Sequence, residues 1–363
     1  MTGRIVLLGA TGYTGGLVLN ALLARGLSPV LAGRNRDVLA AIAARHGGLD
    51  YALADVSDAD SLSALLTSGD TLITTVGPFD RLGHAVARAA AASGAHYIDT
   101  TGEVSFVHDL HEQLHDLARE TGSTLLPAFG YDYVPGILAA MLAAQYAGPT
   151  VRSVDIGYFA TGPLWRGLSH GTRETMRDGM TLPALQWRNS RLVPTRTASA
   201  VRRFAVQGRR RSAFLVSGTE VLFLPHEFPG LDSVRVFNGW FPSLSRSISM
   251  VSAVSNLMAK TAPGRALNDV LTRPMVGPAG GPDATERART RTYVVAQARS
   301  ETAAPEVHVE GPNCYSLTGE LVAWAAQQFA TTAPGTAGVV SPVEAFGFDA
   351  FRDGCAEVGL QEV

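Results

Sequence analysis

Three glycines, each three residues after the last, mark the first candidate site of the chain. The segment lies between an apolar run at 5–8 and an Ala/Leu-rich stretch, and it reads Gly9-Ala10-Thr11-Gly12-Tyr13-Thr14-Gly15. In a strand–turn–helix unit, Gly9 permits a tight turn and Gly12 lets the backbone approach a pyrophosphate. Gly15 lets the helix pack closely on the strand, and the free N–H groups at the helix start bind phosphate. The pattern predicts a dinucleotide site, with an ordinary tight turn as the alternative.

The end of the second predicted strand indicates which dinucleotide binds. An acidic residue there would bind a free ribose 2′-hydroxyl, whereas a guanidinium binds a 2′-phosphate through charge-assisted hydrogen bonds. Arg34 stands at this position, Asn35 and Arg36 can support it, and no acidic residue occurs before Asp37. The sequence therefore predicts NADP rather than NAD. The alternative is that Arg34 is a solvated arginine at the start of the next helix.

Two further loops follow predicted strands at the same edge of the sheet. Asp55 follows the third strand and can accept a hydrogen bond from the adenine amino group, or it can cap the next helix. The segment after the fourth strand is Val76-Gly77-Pro78-Phe79. We expect it to lie along the nicotinamide ribose, because Gly77 permits close backbone approach and Pro78 stiffens the loop. A plain turn is the alternative.

These candidate residues need a scaffold that places strand ends side by side. The first 130 residues alternate short β-rich runs with helical stretches. Strands are predicted at 5–8, 29–32, 51–54, 71–75, 96–99 and 124–126, with helices at 14–25, 36–45, 59–66, 84–93 and 106–121. Such alternation is typical of βαβ units, so we predict a Rossmann domain with a parallel, doubly wound sheet.

Beyond residue 129 the pattern changes, and we predict a second α+β domain with a mixed or antiparallel sheet. A helix is expected at 134–147, followed by β-rich runs that Gly and Pro interrupt. Further helices are predicted at 247–262, 317–330 and 342–358. The expected division is 1–132 with 317–363 for the dinucleotide-binding domain and 133–316 for a substrate or dimerisation domain.

Composition excludes several classes of mechanism. The 363 residues contain 30 Lys and Arg in total, and Lys260 is the only lysine, so 29 are arginine. A Gly-Lys-Ser/Thr phosphate loop and a Tyr-x-x-x-Lys pair are therefore absent from the sequence. Two cysteines cannot build a disulfide framework, and the net charge of −2 offers no basic field for nucleic acid. We expect a cytoplasmic protein with no bound metal, no nucleic-acid partner and no membrane span.

Five motifs together resemble a known family. They are Gly-Ala-Thr-Gly-Tyr-Thr-Gly at 9–15, Ala-Gly-Arg-Asn at 32–35, Gly-Pro-Phe at 77–79, Tyr-Ile-Asp-Thr-Thr-Gly-Glu at 97–103 and Pro-Ala-Phe-Gly-Tyr-Asp-Tyr-Val-Pro-Gly at 127–136. The chain resembles the saccharopine dehydrogenase-like oxidoreductases, in particular their trans-acting enoyl reductase branch. The resemblance implies an NADP-binding Rossmann domain, a second α+β domain and C-terminal helices that return to the first domain. Where the family has Ser-Gly-Gly-Thr, this chain departs from it at His170.

Reductive chemistry with a nicotinamide cofactor needs a proton source or an electrostatic partner. Tyr131 and Tyr133 are the leading candidates, because they follow the sixth strand at the predicted domain junction, and His170 is next. The alternative for both tyrosines is a hinge with packed rings and hydroxyls bonded to the backbone. Asp132 is expected to cap the helix that begins near residue 134. Glu103 is either a candidate at the end of the fifth strand or a solvated carboxylate.

Two side-chain clusters carry weaker signals. His108, His111 and His115 have spacings that permit metal ligation, but we favour a solvated helix flank. A dense basic patch at a predicted turn comprises Arg202, Arg203, Arg209, Arg210 and Arg211. It is either the exposed end of a hairpin or a docking site for an acidic partner, such as an acyl carrier protein or its phosphopantetheine.

The sequence predicts an NADPH-dependent reductase that transfers hydride to an activated C=C bond of a lipid, polyketide or secondary-metabolite intermediate. Reduction of C=N or C=O bonds is the nearest alternative, and Arg166, Arg173 and Arg177 could supply the cations that saccharopine chemistry requires. A non-catalytic NADP-binding sensor or scaffold is the alternative from another class. The expected partners are a small or carrier-bound substrate, an acyl carrier protein and a second copy of the chain.

Overall fold

The computed structural model describes residues 3–363 apart from 163–167, 170, 174–176, 178–181, 259–260 and 263–279. The chain forms two compact units. The first comprises Met1–Val134 and Cys314–Gly359, and the second comprises Pro135–Asn313 and Leu360–Val363. Compared with the predicted division, the last four residues lie with the second unit, where they add an edge strand to its sheet.

The first unit is built on a seven-stranded sheet in which each pair of neighbouring strands is parallel. Numbered in chain order, its strands are β1 (Ile5–Leu8), β2 (Val30–Gly33), β3 (Tyr51–Leu53), β4 (Thr71–Thr74), β5 (His96–Asp99), β6 (Thr124–Leu126) and β15 (Gly338–Val339). The strand order is β15-β6-β5-β4-β1-β2-β3. The order reverses between β1 and β4, and this switch point is where open α/β sheets bind ligands. The predicted parallel Rossmann sheet is confirmed.

Helices connect the strands and pack their own apolar faces on the sheet. The helices of the first unit are α1 (Tyr13–Ala24), α2 (Arg36–Arg45), α3 (Ala59–Leu65), α4 (Phe79–Ser93), α5 (Val104–Thr121), α10 (Cys314–Thr331), α11 (Pro342–Phe346) and α12 (Phe348–Glu357). In α5, Val107, Leu110 and Leu114 recur every three or four residues and are buried, as an amphipathic helix requires. The helix ends at Gly122, whose φ of +76° is favourable for glycine.

Helix α10 returns to the first unit and packs on α1. A methyl group added to Gly319 would lie 3.2 Å from the backbone carbon of Leu17, so glycine at this position favours the close approach of the two helices. The predicted single helix at 342–358 is instead two helices, α11 and α12. Gly347 separates them with a φ of +76°, a left-handed conformation that interrupts a helix.

The second unit contains a nine-stranded mixed sheet. Its strands are β7 (Ser153–Thr161), β8 (Pro183–Arg188), β9 (Leu192–Arg196), β10 (Val201–Val206), β11 (Arg209–Val216), β12 (Ser233–Asn238), β13 (Arg291–Arg299), β14 (Glu306–Gly311) and β16 (Gln361–Glu362). Only the β12–β7 pair is parallel among the pairs of the described residues. The helices are α6 (Val134–Ala147), α7 (Glu220–Glu227), α8 (Ser245–Met258) and α9 (Ala284–Ala288). The predicted α+β class is confirmed.

One face of this mixed sheet carries an aromatic core. Phe159, Phe204 and Phe237 are each at most 1% exposed, and Phe204 contacts each of the other two edge to face. Alternate residues of neighbouring strands supply them, which is the period-two pattern that a buried sheet face requires. Within the part of the chain that the structure describes, no helix is long and apolar enough to cross a bilayer.

Candidate functional site

The glycine loop between β1 and α1 has the shape that its spacing predicts. Gly9 adopts a φ of +97°, and the amide of Gly12 donates to its carbonyl at 2.9 Å, which closes the turn. Gly12, at the N-cap position, has no side chain and so caps none of the amides at the helix start. A methyl group on Gly15 would lie 2.1 Å from the Gly9 carbonyl oxygen. The loop and the start of α1 therefore fit a bound pyrophosphate.

Gly15→Ala is expected to abolish measurable NADPH binding, because the new methyl group forces the loop and α1 apart. Gly16 provides a matched control on the same helix, since a methyl group there would meet nothing within 4 Å. Gly16→Ala should keep its affinity and gain stability, by about 0.5–1 kcal/mol, from the better helix former. Fluorescence titration with NADPH and thermal unfolding measure both effects. Equal affinity in the two variants would contradict the assigned role of Gly15.

The residues that follow β2 and β3 lie at the same sheet edge. Arg34 is exposed directly after β2, whereas the side chain of Asn35 accepts from the amide of Val38 at 3.1 Å and caps α2. The hydroxyl and amide of Ser57 hold the pKa of Asp55 below its usual range, and Arg34 adds to this effect. The cap of α3 is Asp58. Arg34 and Asp55 thus interact electrostatically at the position expected for the adenosine half of NADP.

The loop after β4 is fixed by a carboxylate from a distant part of the chain. Both oxygens of Glu103 accept backbone hydrogen bonds, from the amides of Phe79 and Asp80 at 2.9 Å each. Glu103 therefore caps α4, which begins at Phe79, five residues before the predicted start. Phe79 itself is buried, and its ring centroid lies 5.7 Å from that of Phe106. Spacing could not reveal this cap because Pro78, at the N-cap position, offers no side-chain acceptor.

A buried carboxylate joins the loops after β5 and β6. Asp99 Oδ1 accepts from the amide of Thr101 at 2.9 Å and from the amide of Ala128 at 2.8 Å. Burial raises the pKa of Asp99 to about 6, against the lowering effect of these backbone donors. Ala128 has a φ of +55°, which is unfavourable for a residue other than glycine. Its backbone conformation therefore depends on contacts such as the hydrogen bond to Asp99. Asp99 is therefore a positioning residue for both loops.

The two candidate tyrosines lie in the loop after β6. Tyr131 and Tyr133 are 4% and 8% exposed. The Tyr131 amide donates to Thr318 Oγ1 at 3.0 Å, and that hydroxyl donates to the Cys314 carbonyl at 2.8 Å, so α10 fixes the loop. The Tyr133 hydroxyl donates to the Gly102 carbonyl at 2.7 Å. The Tyr133 hydroxyl thus has the backbone bond that the hinge alternative requires.

Asp132 lies between these tyrosines. The sequence alone predicts only a helix cap at this position and does not reveal its chemistry. A methyl group on Gly102 would lie 3.3 Å from Asp132 Oδ2, so the carboxyl group lies against the loop after β5. Asp132 keeps part of its surface accessible, whereas desolvation of its carboxyl group raises the pKa to about 7. Burial, aided by the charge of Asp132, raises the pKa of Cys314 to about 12. A carboxyl group that is half protonated near neutral pH can donate a proton.

The other candidates have different positions. His170, Arg166 and Lys260 lie outside the described residues. His115 Nδ1 accepts from the amide of Val339 at 3.3 Å and so supports the edge strand β15. In the described segments no group of three His, Cys, Asp or Glu side chains could hold a metal ion.

The basic patch is divided between two environments. Arg202 and Arg235 both bind the buried carboxylate of Asp155, so Arg202 belongs to the sheet. By contrast, Arg203, Arg209 and Arg210 are exposed on the β10–β11 hairpin.

Comparison with known proteins agrees with this geometry. Residues 5–126 match the model of the saccharopine dehydrogenase NADP binding domain. A probable mitochondrial saccharopine dehydrogenase-like oxidoreductase of Arabidopsis thaliana is 37% identical over 172 residues, which cover 43% of this chain and 38% of that protein. A trans-acting enoyl reductase of Mycobacterium ulcerans is 36% identical over 141 residues, covering 37% of this chain and 34% of the relative. The match thus spans well under half the length of either relative.

The solved structure of saccharopine dehydrogenase (L-Glu forming) from Saccharomyces cerevisiae shares the fold across 99% of both chains, with a TM-score of 0.65 and 13% identity. The fold and the glycine loop define an NADP-binding domain of the Rossmann class. Within that class, residues 5–126 are similar to the NADP binding domain of saccharopine dehydrogenase, and the matched part of the chain is similar to saccharopine dehydrogenase-like and trans-acting enoyl reductase proteins. The predicted resemblance and the predicted NADP-binding domain are confirmed.

Proposed function

We propose that this protein is an NADPH-dependent reductase of an activated C=C bond in a lipid, polyketide or secondary-metabolite intermediate. The observation that carries the proposal is the Asp132 carboxyl group, which follows β6 and lies against the Gly102 loop after β5, where desolvation raises its pKa to about 7. These loops share the carboxyl edge of the sheet with the glycine loop, because all the strands are parallel. The likeness to a protein named a trans-acting enoyl reductase supports the same chemistry.

The chain's own residues would bind the cofactor and handle the proton. When bound, NADPH supplies a hydride. The glycine loop and the start of α1 hold its pyrophosphate, and Arg34 binds its 2′-phosphate. Hydride addition to an enoyl group leaves negative charge that a proton must neutralise at the neighbouring carbon. Asp132 holds that proton at its carboxyl group, with Tyr131, Tyr133 and His170 as the other candidates.

The positions of the two tyrosines suggest different roles. Because the Tyr133 hydroxyl donates to Gly102, its proton is engaged and its oxygen remains an acceptor. We infer that Tyr133 orients the Gly102 loop against Asp132. Tyr131 is fixed through its backbone by Thr318, which leaves the proposed catalytic role to its side chain.

The substrate is tested by measuring NADPH oxidation against enoyl thioesters, imines and ketones, each offered at matched concentrations. We expect turnover of the enoyl thioesters to exceed that of the other two classes by at least about tenfold. Preference for imines or ketones would favour the C=N or C=O alternative. Tight NADPH binding without turnover of any class would favour a sensor or scaffold.

Whether the substrate is free or carrier-bound follows from a second comparison. The three exposed arginines of the β10–β11 hairpin suit an acidic carrier surface or a phosphopantetheine phosphate. The same enoyl group is therefore presented on an acyl carrier protein and on a small thiol, and we expect a lower KM for the carrier.

Cytoplasmic location is also part of the proposal, and two free cysteines suit a reducing compartment. A homodimer stays a prediction.

A further inference from the structure

Helix α8 (Ser245–Met258) packs on its sheet with its polar side facing inward. Three of its serine hydroxyls donate to backbone carbonyls: Ser245 to Ser212 at 3.1 Å, Ser249 to Ala198 at 2.5 Å and Ser252 to Thr197 at 2.6 Å. Ser245 and Ser252 are fully buried. An ordinary surface helix buries its apolar stripe and exposes its polar one, so α8 is inverted.

The outer side of α8 is apolar and open. Met250 is 71% exposed, Val251 52%, Val254 57% and Leu257 66%. Their spacing of one, three and three residues places these side chains on one helix face. A contiguous apolar face of this kind marks a site of contact with a lipid or a protein. We call these four side chains the outer face.

The described strands against which α8 packs are β9, β10 and β11, and they carry arginines and no acidic side chain. Among these arginines, Arg203, Arg209 and Arg210 are exposed. Arg246 is exposed on α8 itself. Arg196 donates to the Ser249 carbonyl at 3.0 Å, and its side chain lines a shallow pocket together with Pro183, Pro194 and Asn256. An apolar face with a cationic rim matches an anionic lipid surface, where apolar side chains insert and cations meet headgroup phosphates.

We propose that α8 lies in the plane of an anionic lipid surface, with the outer face inserted and Arg196 and Arg246 at headgroup level. Charge decides against a second copy of the chain, because pairing two such faces would bring like-charged arginines together. The aliphatic composition also differs from protein interfaces, whose binding energy is concentrated in Trp, Tyr and Arg. The inference goes beyond the proposed function, since it concerns where the enzyme acts and not what it reduces.

Vesicle flotation with the full chain tests this proposal. Vesicles of phosphatidylcholine alone are compared with vesicles that also contain phosphatidylglycerol. The variant Val254→Gln/Leu257→Gln removes half of the outer face at exposed positions, and glutamine is a good helix former. The matched control is Tyr51→Gln/Leu53→Gln on β3, where the side chains are 38% and 44% exposed.

We expect the wild type and the β3 control to float with phosphatidylglycerol vesicles and to bind phosphatidylcholine more weakly. The α8 variant should bind at least about tenfold more weakly, because apolar burial drives insertion. Arg246→Glu should lose the preference for phosphatidylglycerol, which provides a second readout if the double variant fails to fold. Turnover of a soluble short-chain substrate should be equal in all variants, so the result does not depend on the proposed reaction.

Four results would overturn the proposal. The first is a wild type that binds neither kind of vesicle. The second is an α8 variant that binds as tightly as the wild type. The third is found by sedimentation analysis: the wild type is a dimer, the α8 variant is a monomer, and the two bind vesicles equally. The outer face would then join two copies of the chain. Binding of an acidic carrier protein to the outer face, with no vesicle binding, counts equally against it.

Discussion

Asp132→Asn is expected to lower kcat by about 10²–10⁴, the range that general acid catalysis contributes. The amide is nearly the same size as the carboxyl group, so the contact with the Gly102 loop is kept and only the transferable proton is lost. NADPH affinity should change less than about twofold, because the cofactor-binding residues lie after other strands. Single-turnover measurements with the preferred enoyl thioester separate the chemical step from cofactor binding.

The pH dependence gives an independent test. A proton donor must be protonated, and desolvation raises the pKa of Asp132 to about 7. Wild-type kcat should therefore fall as the pH rises above about 7, whereas Asp132→Asn should show a flat profile over the same range. Asp132→Glu, which keeps an ionisable group at a different length, should restore part of the rate and its pH dependence. A wild-type profile without a step near neutrality would contradict the assignment.

The same pKa has a consequence for stability. Asp132 has a reference pKa of 3.8 and a folded value of about 7, so the folded state holds a proton that the unfolded chain releases. Its contribution to stability is complete below pH 4 and is lost as the pH rises to about 7. Asp99 acts in the same direction, with a folded pKa of about 6. Asp132→Asn should flatten the decline in stability between pH 4 and 7, measured by urea unfolding.

Tyrosine variants distinguish direct proton donation from positioning. Tyr133→Phe removes the hydrogen bond to the Gly102 carbonyl, so we expect a modest loss of kcat and a retained pH profile. Tyr131→Phe should lower turnover more than NADPH affinity if its hydroxyl contacts the reacting atoms. Unchanged turnover in both variants would exclude the tyrosines and leave Asp132 and His170.

The sequence predicted the elements of the parallel sheet well, for a simple physical reason. Strands buried on both faces are short apolar runs, and glycines and polar residues interrupt them at each end. The predicted bounds of β5, β6 and α2 agree with the structure residue for residue. In α4 the prediction began too late, because the cap comes from Glu103, more than twenty residues away in the chain. Such long-range caps leave no local signal.

The rest of the site could not be predicted because it depends on burial. Asp132 was assigned to helix capping from its position before α6, and spacing alone cannot show that its carboxyl group is desolvated. The hairpin of β8 and β9 was missed because it is rich in Pro, Arg and polar residues and lacks regular alternation. Helix α8 was predicted from its composition, but the direction of its apolar face depends on packing. A surface helix usually buries its apolar side, but in α8 serines occupy the inner positions and the apolar side is exposed.

Arg34→Ala should weaken NADPH binding by about a hundredfold and leave NADH binding nearly unchanged. A charge-assisted contact to a phosphate contributes about 1.5–3 kcal/mol, and NADH lacks the phosphate that Arg34 would meet. Asn35 cannot replace it, because its side-chain oxygen caps α2. The variant should therefore change the NADPH-to-NADH ratio of kcat/KM without affecting the fold or kcat at saturating cofactor.

Arg45→Ala is the matched control for this prediction, since Arg45 is exposed on the last turn of α2, the helix that follows Arg34, and its guanidinium donates to the Ala41 carbonyl. Both variants lose one positive charge, so a purely long-range effect of net charge would weaken NADPH binding equally in each. A specific phosphate contact predicts a large loss for Arg34→Ala alone. If Arg34→Ala weakens NADH binding as much as NADPH binding, then the role of Arg34 is to maintain the fold of the loop. Because Arg34 lowers the pKa of Asp55 in the absence of cofactor, its removal should also raise that pKa, which NMR titration can follow.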